Sequence, residues 1–98
     1  MIRHICMFKL KDENKSVNLE EFIERCQSLK TIDEVRRFEV VRNGIDMPES
    51  NYDVALIFDF EDKEALDRYQ NDPIHKAFGG FVSEVREARA CIDYYFEG

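Results

Sequence analysis

The chain of 98 residues lacks any apolar run approaching the roughly 20 residues needed to span a bilayer. Its opening, Met-Ile-Arg-His-Ile-Cys, also lacks the basic, apolar and small-residue layout of a signal peptide, so a cytoplasmic location with no membrane partner is expected. Positive charge is short as well. Fourteen Lys and Arg stand against 21 Asp and Glu, and the net charge of −7 repels a phosphate backbone or an anionic membrane, so no nucleic acid is expected as a partner. Cys6, Cys26 and Cys91 are odd in number, far apart, and each set in an apolar pattern. They indicate neither a disulfide framework nor a metal motif, and buried thiols are expected. Two histidines cannot complete a zinc site without further ligands nearby, so metal catalysis is not expected, and no cofactor is called for. Internal repeats and long linkers are missing too, and residues 1–98 read as a single domain.

What is present is a core. The composition is 44% hydrophobic with eight Phe and four Tyr, too rich in core-formers for a disordered chain. From Ile2 to Leu10 the chain alternates, placing Ile2, His4, Cys6, Phe8 and Leu10 on one face and Arg3, Ile5, Met7 and Lys9 on the other, as in a strand. Asn18 and Glu21 have the spacing of a capping box, and Leu19, Phe22, Ile23, Cys26 and Leu29 form the apolar stripe of a first helix ending near Lys30 or Thr31. Val35 to Asn43 reads as a second strand, Gly44 to Asn51 as a loop, and the stretch from Tyr52 to Phe60 as a third strand. Asp62 caps a second helix carrying Ala65, Leu66 and Tyr69 inward. Asp72-Pro73 restarts it as a third helical segment with Phe78, Phe81 or Val82, Val85 and Ala88 on its inner face. Gly79-Gly80 either weakens that segment or admits another backbone. Ala90 to Phe96 closes the order as a strand.

The order β-α-β-β-α-β, with its second helix broken, is the split βαβ or ferredoxin-like plan of the α+β class. Four antiparallel strands then carry helices on one face only. The apolar centres at Ile5, Met7, Ala55 and Ile57 on the opposite face need another cover, and a second copy of the sheet supplies it. A homodimer through the sheet face is therefore expected.

The stretch Tyr-Gln-Asn-Asp-Pro-Ile-His-Lys-Ala-Phe, from Tyr69 to Phe78, sets a tyrosine and a histidine six positions apart where chain direction is reset. Together with the Ile2-Arg3-His4-Ile5 opening, the Tyr52-Asp53-Val54-Ala55-Leu56 strand, the Phe60 to Leu66 helix start and the terminal Ile92-Asp93-Tyr94, it resembles the stress-responsive dimeric α/β-barrel family, Dabb, over essentially the whole length. The resemblance implies ferredoxin-like protomers whose sheets close into a barrel across a dimer interface. One plant member is a polyketide cyclase working by aldol condensation without metal or organic cofactor, and His4, Tyr69 and His75 match its histidine, tyrosine and second histidine. By that resemblance His75 acts as general base, Tyr69 donates a hydrogen bond to an incipient enolate, and His4 positions the substrate or helps carry a proton. Val54 and Cys26 replace a histidine and a tyrosine of that pocket, which implies a less polar cavity of different shape.

Two function classes remain open. One is a cofactor-independent cyclase or isomerase acting on a small apolar or carbonyl-containing ligand. The other is a non-catalytic dimeric binding or stress-associated structural domain, in which His4 is a satisfied core residue and His75 only pairs near Asp72 at a helix start.

Overall fold

Alternation along two central strands organises the protein, which a computed structural model describes over residues 1–97. Among the described residues the elements are β1 (Ile2–Leu10), α1 (Lys15–Arg25) with a 3₁₀ continuation (Cys26–Thr31), β2 (Arg37–Arg42), β3 (Val54–Phe60), α2 (Lys63–Asn71), α3 (Pro73–Val85) and β4 (Arg86–Tyr95). The strands form one antiparallel sheet in the order β2-β3-β1-β4, the ferredoxin-like arrangement, and the sheet is open in the protomer. No helix among the described residues is long and apolar enough to cross a membrane.

Register sorts the side chains into two faces. The helix-covered face is built from the cross-strand rows Phe38-Phe58-His4-Asp93, Val40-Leu56-Cys6-Cys91 and Arg42-Val54-Phe8-Arg89. Its central positions are buried, and Phe22, Leu29, Leu66, Tyr69, Phe78 and Val82 pack on them from the helices. Aromatic contacts run through this core, with ring centroids 5.2 Å apart for Phe8 and Phe22, 5.1 Å for Phe22 and Phe78, and 4.8 Å for Phe60 and Tyr69. The uncovered face carries the rows Arg37-Asp59-Arg3-Tyr94, Glu39-Ile57-Ile5-Ile92 and Val41-Ala55-Met7-Ala90. Arg3 anchors the first of these, donating to both oxygens of Asp59 at 2.7 and 2.9 Å while lying 4.4 Å from the Phe96 ring centroid. That guanidinium holds the Asp59 carboxyl below the usual carboxylate range.

The helix starts at Asp62 and Asp72 form as the residue types demand. The Asp62 carboxylate accepts from the Ala65 amide and the Asp72 carboxylate from the Ile74 amide, both at 2.8 Å, and Pro73 occupies the first turn of α3 where no amide is needed. Elsewhere the boundaries shift. The first helix begins at Lys15, not at the expected Asn18, because Asn14 takes the left-handed conformation (φ 56°) and turns the chain one helical turn earlier. The last strand begins at Arg86, so Ala88 lies in β4 and not on the inner face of α3. At Gly79 and Gly80 a Cβ would meet nothing within 4 Å, so no backbone approaches there and α3 runs through both glycines unbroken.

The expectation of three separate buried thiols is overturned. Cys6 and Cys91 are directly opposed across β1 and β4, with Cα atoms 4.3 Å apart, and form a disulfide, whereas Cys26 is free and buried. An 85-residue separation in sequence is closed by antiparallel pairing, which spacing along the chain does not reveal.

Candidate functional site

The sheet and the α2–α3 break enclose a cavity of about 230 Å³. Its walls include His4, Cys6 and Phe58 from the sheet, Tyr69 and Gln70 from the end of α2, His75 and Gly79 from α3, and Arg86 and Arg89 from β4. All three residues singled out in the sequence thus share one cavity, and each arrives there for a separate local reason.

His4 sits between Phe58 and Asp93 in its cross-strand row and is 5% exposed. Its Nδ1 donates to the Asp93 carboxylate, since a carboxylate only accepts, so in the neutral ring Nε2 carries the lone pair. That nitrogen lies 3.3 Å from Cys6 Sγ. Tyr69 faces the sheet from the last turn of α2, its ring packed against Phe58 and Phe60. Burial pushes its phenol far above the ordinary range, so it remains a proton-bearing donor at neutral pH. Among the described residues no sealed side-chain nitrogen or oxygen lacks a partner, and the Tyr69 hydroxyl has none from the protein, so it opens to the cavity it lines.

His75 stands one turn into α3, with its ring centroid 4.7 Å from that of Tyr69. Its Nδ1 donates to the Gln70 carbonyl at 3.1 Å, which leaves Nε2 unprotonated in the neutral ring. Burial lowers its pKa below the ordinary histidine value; the Gln70 carbonyl opposes this, the nearby His4 and Arg89 reinforce it, and Asp72 pulls weakly the other way. His75 is therefore held neutral at pH 7. The His4 and Tyr69 rings are 6.5 Å apart, so Tyr69 neighbours both histidines.

Two residues expected to shape the cavity do not. Cys26 and Val54 are both buried, but neither lies on this wall, where Leu29 and Leu56 stand instead. Burial pushes the Cys26 thiol up to about 11, so it is an inert core group. Sequence reasoning missed the contribution of β4, namely Arg86, Arg89, Cys91 and Asp93. The signal was present in the alternation Arg89-Cys91-Asp93, which mirrors Phe8-Cys6-His4 once the strands are paired antiparallel. That pairing also gathers one ring nitrogen of His4 and the sulfurs of Cys6 and Cys91 within 4.8 Å, a grouping of ligand atoms the cysteine spacing did not indicate.

A ferredoxin-like sheet with a histidine- and tyrosine-lined cavity beneath a broken second helix defines an α+β protein of the α/β-barrel kind. The chain belongs to the stress responsive A/B barrel domain family, Dabb, whose pattern matches residues 2–96. A dimeric protein of unknown function with a ferredoxin-like fold from Bacteroides fragilis is 34% identical over 97% of this chain and 95% of its own, with a TM-score of 0.85. A Dabb family protein from Mesorhizobium loti is 30% identical over 99% of this chain and 97% of its own, with a TM-score of 0.82. A dimeric ferredoxin-like protein of unknown function from Thermobifida fusca shares the fold at 23% identity, covering 97% of this chain and 90% of its own, with a TM-score of 0.87. Among curated proteins none matches.

Proposed function

We infer that the protein binds a small carbonyl-bearing molecule in this cavity and acts on it as a cofactor-independent cyclase or isomerase. The observation that supports the reading is the convergence of His4, Tyr69 and His75 on one cavity, with His75 kept neutral and its Nε2 free. In this scheme Nε2 of His75 takes a proton from the carbon between two carbonyls. The electron pair moves onto the carbonyl oxygen, where the Tyr69 hydroxyl donates a hydrogen bond to the developing enolate. The enolate carbon then attacks a further carbonyl of the same molecule, beyond the two that flank it, and the imidazolium returns its proton to the new alkoxide. His4, fixed by Asp93, positions the far end of the ligand. Arg86 and Arg89 line the same cavity and make no ion pair among the described residues, which favours a ligand bearing a carboxylate or a second enolised oxygen. The volume of about 230 Å³ lies below the roughly 300–1,000 Å³ of pockets for drug-sized ligands and selects a compact one.

The same reading includes a homodimer. The uncovered sheet face exposes Met7, Val41, Ile92 and Tyr94 around the half-buried Ile5, Ala55 and Ile57, and a second copy of that face closes the two sheets into a barrel. The dimeric relatives from Bacteroides fragilis and Thermobifida fusca support this.

A thermal-shift screen with small β-dicarbonyl and aromatic carboxylate compounds tests the site, because a ligand at 100 times its Kd stabilises the native state by about 2.7 kcal/mol. Hits whose shift disappears in His75→Ala and that undergo base-catalysed ring closure with wild type support the enzyme. Hits bound but unchanged chemically identify a non-catalytic binding domain, and hits indifferent to both His75→Ala and Tyr69→Phe place binding elsewhere.

A further inference from the structure

The cavity wall carries a second constellation, which shares His4 with the carbonyl chemistry and adds two cysteines which that chemistry does not use. Pairing of β1 with β4 sets Cys6 opposite Cys91 and His4 opposite Asp93 on the same face. One ring nitrogen of His4 and both sulfurs lie within 4.8 Å of one another, and the His4 Nε2 to Cys6 Sγ distance is 3.3 Å. Asp93 holds the Nδ1 proton, so the lone pair of Nε2 is turned to the sulfurs. A carboxylate on one imidazole nitrogen with the other nitrogen free is the arrangement that orients metal-ligating histidines.

We propose that His4, Cys6 and Cys91 form a redox-gated site for a zinc-class divalent cation, closed when the two cysteines are joined and open when they are reduced. In the opening step a dithiol reductant delivers two electrons and two protons to the Cys6–Cys91 bond and is itself oxidised to a disulfide, leaving two thiols. The cation then displaces both thiol protons and takes two thiolates and Nε2. Tetrahedral zinc with Zn–S near 2.3 Å and Zn–N near 2.0–2.1 Å sets its ligand atoms about 3.5–3.8 Å apart. The His4–Cys6 distance is already close to that, and the sulfurs reach it by rotation of the exposed Cys91 side chain. Two thiolates neutralise the cation. Outside them, Asp93 holds the far nitrogen of His4, and Arg89 donates from Nη2 to Cys6 Sγ at 3.5 Å. Two sulfurs and an imidazole select zinc-like ions over magnesium or calcium, which require oxygen ligands. Three protein ligands leave the fourth tetrahedral position open beside the cavity that His4 and Cys6 line. The site stands whether or not the cavity performs the carbonyl chemistry above.

The test is an anaerobic titration of the full chain, reduced with a phosphine and desalted, with Co²⁺ alone. One equivalent produces sulfur-to-cobalt charge-transfer bands and the visible bands of a tetrahedral ion, Zn²⁺ bleaches them, and the oxidised chain gives none. Cys91→Ser, at an exposed position, abolishes the charge-transfer intensity; Asp93→Asn weakens cobalt affinity about 10–100-fold; Cys26→Ser leaves the spectrum unchanged. Reduced protein that keeps its circular dichroism but yields no such bands overturns the proposal. So do bands that survive in Cys91→Ser, bands that vanish in Cys26→Ser, or a chain that unfolds on reduction and thereby loses the β1–β4 pairing the site needs.

Discussion

The rings of Tyr69 and His75 pack 4.7 Å apart, centroid to centroid, across the break between α2 and α3. That break exists because Asp72 ends one helix and caps the next while Pro73 supplies the first turn. A continuous helix would send positions 69 and 75 to different faces, since six residues are about one and two-thirds turns. The interruption is what lets consecutive helices contribute to one wall.

Tyr69 separates packing from chemistry. Tyr69→Phe retains the ring among Phe58, Phe60 and His75 and removes a hydroxyl that has no partner among the described residues, so urea unfolding shifts by less than about 1 kcal/mol. Tyr69→Ala empties a position only 2% exposed and costs about 3–5 kcal/mol. Ligand-induced thermal stabilisation falls in the Phe variant despite its native stability. A Phe variant that binds every hit as wild type does removes the hydroxyl from the site.

His75 makes stability depend on pH. Its folded pKa lies below the unfolded value of 6.5, chiefly through burial. The groups facing it are Tyr69 and the Gln70 carbonyl from α2, Asp72 at the junction, His4 from β1 and Arg89 from β4. As pH falls from 6.5 toward the folded pKa, the unfolded chain takes up a proton the folded chain does not, so stability drops through that window and is insensitive to this group above it. The urea midpoint of His75→Gln therefore declines less than that of wild type between pH 7 and pH 5. Parallel declines would show that His75 titrates alike in both states. The catalytic reading adds that turnover falls over the same acid range, as the base becomes protonated.

The two glycines of α3 answer differently to one added methyl. Gly80 is exposed, has no positive φ, and a Cβ there meets open space, so Gly80→Ala stabilises the protein by about 0.4–1 kcal/mol through helix propensity. Gly79→Ala gains similarly in urea but adds its methyl to the cavity lining, and reduces ligand-induced stabilisation relative to Gly80→Ala. Equal ligand responses from the two variants would place the ligand away from α3.

Local pattern carried the architecture because the decisive features are short-range. Period-two alternation from Ile2 to Leu10 and from Tyr52 to Phe60, and the caps at Asp62 and Asp72, act within a few residues and were legible as such. His4, Tyr69 and His75 were legible as a group through resemblance; strand register puts His4 on the helix-covered face, and the break between α2 and α3 brings Tyr69 and His75 to the same cavity. The Cys6–Cys91 pair, the His4–Asp93 hydrogen bond and the arginines of β4 depend on which residues of distant strands face each other. Alternation identifies a strand's two faces but not its partner's register. Arg86 and Glu87 also begin β4 on an exposed sheet edge with no apolar marker, which is why that strand read four residues short.

The uncovered sheet face gives the last prediction. Ile92 projects from the edge strand in the row Glu39-Ile57-Ile5-Ile92 and is 61% exposed in the protomer, so Ile92→Glu disturbs no core contact and leaves protomer stability within about 0.5 kcal/mol. In a two-fold dimer through that face every substitution appears twice, and two carboxylates are taken from water at an apolar patch. Tyr95 is still more exposed, at 77%, but its register with Ile2 turns it to the helix side of the sheet, which makes Tyr95→Glu the matched control. In sedimentation velocity at micromolar concentration, wild type and Tyr95→Glu run as dimers and Ile92→Glu as a monomer. A monomeric wild type removes the dimer altogether, and dissociation by Tyr95→Glu with Ile92→Glu intact moves the interface to the opposite face.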